Sequence, residues 1–157
     1  MKYKLLLSLL LLSSIAIGAP LKPDATLTPG AINTEANKSV ICNVGYTAGV
    51  DSHGNKVRNV PESLKQKVYD SYKIDRKSDQ FEIDHLISLQ LGGSNDVKNL
   101  WPQSYTTQPY NAYMKDDLEN KMKKLICDGK ISQEQAQKEI SNDWTKAYDA
   151  YVKPTKK

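Results

Sequence analysis

Two neighbouring side chains carry the chemistry this sequence is best equipped to do, Asp84 and His85, in the run Phe81-Glu82-Ile83-Asp84-His85-Leu86. An imidazole near its ordinary pKa of about 6.5 can take a proton from water at neutral pH. A carboxylate beside it can hold a hard divalent ion through oxygen. Farther along, Asn111, Lys115 and Glu119 recur at i, i+4 and i+8, which puts them on one face of a helix. Successive residues of a regular strand point to opposite faces, so the strand must end or twist at His85 if both side chains are to serve one site. An isolated Asp-His pair is also an ordinary structural hydrogen bond, and the two residues by themselves leave both readings open.

The elements that would position these groups are short. Phe81, Ile83 and Leu86 frame an apolar strand, Gly92-Gly93-Ser94-Asn95-Asp96 reads as a turn-rich loop, and Asn99-Leu100-Trp101 reads as a second strand that Pro102 stops. A long helix is predicted over residues 109–128, with Met114, Leu118, Met122, Leu125 and Ile126 as its buried face and Asp128-Gly129 as its end. The order is strand, loop, strand, helix.

Three ordered blocks occupy this frame: Glu82, Asp84, His85, Leu86, Ile87, Leu89, Leu91, Gly92 and Gly93; then Asn99 to Pro102; then Asn111, Ala112, Lys115, Asp116, Leu118 and Glu119. Together they resemble the HNH endonucleases, also called ββα-metal or His-Me finger nucleases, and most closely a group of bacterial HNH-type proteins. That group carries E-x-D-H-L-I-x-L-x-L-G-G, then N-L-W-P, then N-A-x-x-K-D-x-L-E. The likeness is most specific over residues 82–119 and looser at Pro29-Gly30, around Cys42 and from Cys127 to Trp144.

The resemblance implies an α+β domain on a ββα-metal core, with flanking helices and an N-terminal arm. It implies hydrolysis of DNA phosphodiester bonds, with RNA as a further substrate and little sequence specificity, since no recognition helix or zinc finger is visible. In that reading His85 is the general base, its tautomer fixed by a backbone carbonyl, Asn99 takes the middle position of the catalytic signature, where its side chain pins the loop and does no chemistry, and Asn111 takes the last. Asp84 and Asn111 are the ligands of a divalent ion, magnesium first, with manganese and calcium as alternatives. Lys115 and Arg58 contact substrate phosphate. The departure from the pattern is Asn111, where many relatives have His, and Glu82 or Glu119 could replace or supplement it. Each residue also has a plainer reading: Asn111 as a helix N-terminal residue, Lys115 as a solvated helix side chain, Arg58 as surface, His53 as an exposed turn residue, and Trp101 and Trp144 as core. A different class of function, an exported module that binds nucleic acid or an envelope polymer without turnover, fits the same fold. Hydrolysis of another phosphodiester is a third.

Outside this frame, Met1-Lys2-Tyr3-Lys4 followed by the Leu-rich run to Ile17 and the small residues Ala16-Ile17-Gly18 reads as a signal peptide cleaved before Ala19. The run is shorter than the roughly 20 apolar residues a membrane span needs. Secretion or a periplasmic location is therefore expected, and in an oxidising compartment Cys42 and Cys127 most simply form one disulfide, two buried thiols being the alternative. Closing so long a loop would contribute on the order of 4 kcal/mol. The net charge of +4 falls to about +2 without Lys2 and Lys4, which permits a nucleic-acid partner without demanding one. A monomer is expected.

Residues 19–39 read as an extended arm, 40–153 as the nuclease-like domain and 154–157 as a basic tail. Val40 to Tyr46 is β-branched enough for a strand. A turn is expected over Asp51 to Asn55, a helix from Pro61 with the stripe Leu64, Val68 and Tyr72, and a last helix opened by Ser132 and packed through Ala136, Ile140, Trp144, Ala147 and Tyr151.

Overall fold

The computed structural model describes residues 21–76 and 80–153; the predicted signal peptide and the basic tail lie outside the described residues. The architecture is α+β. In chain order it comprises α1 (Lys38–Ile41), α2 (Glu62–Tyr72), β1 (Phe81–His85), β2 (Leu100–Ser104), α3 (Ala112–Cys127) and α4 (Gln133–Tyr151), with three short 3-10 turns at Tyr46–Ala48, Leu89–Leu91 and Val97–Asn99. No helix among the described residues is long and apolar enough to cross a membrane.

β1 and β2 pair antiparallel, with Asp84 opposite Trp101 and His85 opposite Leu100. The second strand does not stop at Pro102. Just beyond the two ends of the ladder, Leu86 N donates to Asn99 O (2.8 Å) and Tyr105 N donates to Gln80 O (2.9 Å). Hydrogen-bonded pairs alternate with non-bonded ones, so Ile83–Pro102 falls at a non-bonded pair, where a missing N–H removes no ladder bond.

The predicted strand over Val40 to Tyr46 is instead α1 and a 3-10 turn. Asn37 caps the helix by accepting from Val40 N, and Ile41 is fully buried in the core. Cys42 is bonded to Cys127 at the end of α3, with Cα atoms 5.7 Å apart. Burial of one residue and a covalent tie to a helix override the β propensity of this short run.

α3 begins at Ala112 with Asn111 as its N-cap, and α4 is capped by Ser132, whose side chain accepts from Gln135 N. Leu118, Met122 and Ile126 of α3 meet Ile140 and Trp144 of α4 around Trp101, Leu86 and Leu91. The predicted stripes thus become the core, while Met114, Leu125 and Tyr151 stay at its edge, half-buried. α2 starts at Glu62 with Pro61 as the residue before it, and Val68 and Tyr69 are its buried residues.

Residues 30–33 of the arm are bound to the loop between the strands. Gly30 N donates to Lys98 O (2.9 Å), Asn33 N to Gly92 O (2.9 Å) and Ser94 N to Ala31 O (3.0 Å). At the centre of that loop Gly93 is packed so closely that a methyl group would run into the carbonyl of Ile87.

Candidate active site

Asn99 sets the loop that follows His85. Its side chain is fully buried: Oδ1 accepts from Ile87 N (2.9 Å) and Ala31 N (3.3 Å), while Nδ2 donates to Ile87 O (2.9 Å) and Ser94 O (2.8 Å). Its hydrogen-bonding capacity is used up on three separate backbone segments. Asn99 therefore holds the loop against the arm and has nothing left to offer a substrate.

His85 is the last residue of β1 and 2 % exposed. Its Nε2 lies 3.0 Å from Asn95 Oδ1. The Asn95 amide can face only one way, because its Nδ2 donates to Val57 O (2.9 Å) and its Oδ1 accepts from Asn59 N (3.3 Å). In the neutral ring Nε2 must then carry the proton and Nδ1 the lone pair. A side-chain amide, in place of the backbone carbonyl expected from the sequence, fixes the tautomer. Burial lowers the pKa to about 4, the Asn95 bond works against this, and the charges of Arg58 and Lys115 lower it further. The ring is neutral at pH 7.

Asp84 and His85 occupy successive positions of one regular strand and make divergent contacts. The strand ends at His85, as expected, but the two side chains are not brought to one partner: the carboxylate meets α3, while the imidazole meets the loop residue Asn95. From α3, Lys115 reaches into the sheet and is 1 % exposed. Its ammonium donates to Asp84 Oδ2 (2.6 Å), to the carbonyl of His85 (2.8 Å) and to Glu119 Oε1. Burial alone would discharge such a group, but Asp84 and Glu119 more than offset that and hold it charged, above the ordinary lysine range. Three N–H donors meet three oxygens, so the phosphate contact expected of Lys115 has no donor left to make it.

The donors expected to hold a divalent ion are likewise engaged. Asn111 Oδ1 caps α3 by accepting from Met114 N (3.3 Å), and Asp84 is paired with Lys115. Among the described residues no group of three His, Cys, Asp or Glu side chains is placed to hold a metal ion. An ion at Asp84 Oδ2 would have to displace the Lys115 ammonium, while Asn111 Oδ1 keeps one lone pair beyond its cap bond. Glu119 pairs with Lys115, and Glu82 accepts from the Tyr105 hydroxyl (2.8 Å). Burial, followed by the Asp84 charge, raises Glu82 above the ordinary carboxylate range. Burial, then Glu119 and Asp84, pushes Asp116 up to about 6.

Arg58 is exposed and lines a cleft of about 620 Å3 together with Lys65, Tyr69, Arg76, Phe81 and Glu82. Lys65 and Arg76 are both paired with Glu62, whereas Arg58 forms no ion pair among the described residues. His53, in its turn, is exposed and pairs with Glu35 (3.2 Å). Sequence reasoning missed Asn95, the residue that orients His85, because an Asn after Gly-Gly-Ser reads only as a turn former. In comparisons with known proteins, no family model, no curated protein and no solved structure matches this chain.

Proposed function

We propose that the protein is an HNH-type nuclease that hydrolyses nucleic-acid phosphodiester bonds, DNA first, with His85 as general base. The observation that carries this reading is the His85 imidazole, neutral at pH 7 and held by Asn95 with its proton on Nε2, so that Nδ1 keeps its lone pair. It sits at the end of a strand followed by a loop, a second strand and a helix, the order the sequence motif implies. Nδ1 takes the proton of the water that attacks phosphorus, the P–O bond to the leaving oxygen breaks and that oxygen takes a proton from solvent, while Arg58, a guanidinium with no carboxylate partner among the described residues, binds the phosphate. The exocyclic contacts that read bases are not required for this chemistry, and backbone contacts dominate, so binding weakens steeply with salt.

A second reading, binding without turnover, is favoured by one observation: the His85 ring is almost sealed, at 2 % exposure. Plasmid nicking by the purified, oxidised protein, run beside binding to the same DNA, separates the two. Nicking by wild type that is lost in a folded His85→Ala protein with unchanged binding supports the nuclease. Binding of equal strength in both proteins, with no nicking of DNA or cleavage of RNA by either, supports the binding module. Arg58→Ala should weaken binding in both cases and lower the slope of log affinity against log salt by about 1.

A further inference from the structure

We propose that Lys115 is the resident cation of this site: its tethered ammonium takes the place of a divalent ion at Asp84, neutralising that carboxylate and fixing the backbone of His85. The inference rests on the reading of Asp84 and His85 as the reaction site, but it is tested without reference to cleavage.

The geometry is that of a cation in an oxygen cage. The Nζ atom is buried and surrounded by two carboxylates and a carbonyl, with one oxygen from each of Asp84, Glu119 and His85. Two of these are the residues the motif assigns to the chemistry. The third, Glu119, lies one helical turn beyond Lys115, an i, i+4 pair that holds the ammonium from its own helix. A hard divalent ion binds in the same kind of oxygen set, and both cannot occupy it.

The arrangement has a consequence for substrate. A phosphodiester approaching His85 would otherwise meet the uncompensated charge of Asp84 and Glu119 in a buried setting where charges act strongly. The ammonium cancels one of those two negative charges and so lessens the repulsion. It also ties the carbonyl of His85 to α3, so that the end of the strand, and with it the imidazole, is held from a second element. Lys115 is thus a positioning residue: its donors are spent inside the protein and none reaches substrate.

The test is a manganese titration followed by calorimetry and by paramagnetic broadening of backbone amide signals. Wild type should give no saturable binding and no selective broadening at residues 84, 85, 115 and 119. Lys115→Ala removes the ammonium, leaves space beside two carboxylates, and should gain saturable manganese binding that wild type lacks. That gain should disappear in Lys115→Ala combined with Asp84→Asn. If Lys115→Ala does not fold alone, refolding restored by manganese but not by potassium supports the proposal, and a variant that folds with neither overturns it. Saturable manganese binding by wild type that is lost in Asp84→Asn also overturns it. None of these outcomes depends on whether DNA is cut, so a failure here leaves the nuclease reading standing, and a failure to cut leaves this one standing.

Discussion

The neutral, buried His85 ring links the site to the stability of the fold. In the unfolded chain it titrates near 6.5, and in the folded protein near 4, because burial disfavours the imidazolium. Above pH 6.5 neither state binds the proton and nothing is lost. As pH falls from about 6.5 to about 4 the unfolded chain takes up a proton that the folded protein refuses, and stability drops by about 3 kcal/mol. Glu82 and Asp116, both held above the ordinary carboxylate range, act in the opposite direction over the acid range, so the wild-type curve alone is a mixture. Urea unfolding of wild type and His85→Gln at about pH 7.5 and about pH 4 isolates the histidine, with wild type losing about 3 kcal/mol more than the variant. Parallel losses would mean that the ring is not the buried neutral group described. Asn99 makes a separate prediction. Asn99→Ala strands buried groups of Ile87 and Ser94 and should cost about 3 kcal/mol, read as a fall in the urea midpoint. Asp84, His85 and Asn99 were visible in the sequence because their spacing to one another is local and ordered. The burial of Lys115 was not, since lysine is seldom buried unless paired and its partners Asp84 and His85 lie about thirty residues away.

Among the elements, the loop between the strands is held by the arm as much as by its own turns. Ala31, Asn33 and Gly30 bond to Ser94, Gly92 and Lys98, a strap that composition alone presents as an inert lead-in. Its short polar residues carry no periodicity, so nothing local reveals what it touches. Gly93 lies beneath this strap. Gly93→Ala should destabilise the protein by about 3 kcal/mol, because the new methyl meets the backbone of Ile87 and not a flexible side chain. Thermal unfolding checks this, and an unchanged midpoint would mean that the loop is looser than described. The helices α3 and α4 were legible because their stripes repeat over several turns and end in recognisable caps, Asn111 and Ser132. Val40 to Tyr46 was misread because a few β-branched residues are too short a sample against one buried Ile41 and one disulfide. Pro102 was misread as a stop because the side of the ladder its nitrogen faces depends on register, and register is set by the partner strand.

For the whole molecule, the disulfide joins residues 85 positions apart and ties α1 to the far end of α3. Its reduction should remove on the order of 4 kcal/mol by freeing the unfolded chain, measured as the shift in urea midpoint between oxidised and reduced protein. An unchanged midpoint would place the stability wholly in the core around Trp101 and Trp144. That core joins α3, α4, Trp101 of β2 and the segment that follows His85, Leu86 to Leu91, so the site borders directly on the hydrophobic interior. From β1 onward the order of elements followed from the sequence, while the burial of Lys115 as an internal cation depended on how those elements close on one another. The proposed nuclease function rests on His85 as the base. Chemical rescue tests it most directly: plasmid cleavage by His85→Gly, measured with and without added imidazole, with folding checked by circular dichroism. Cleavage that is lost in the folded variant and returns in proportion to imidazole is the predicted result; undiminished cleavage by His85→Gly would contradict it.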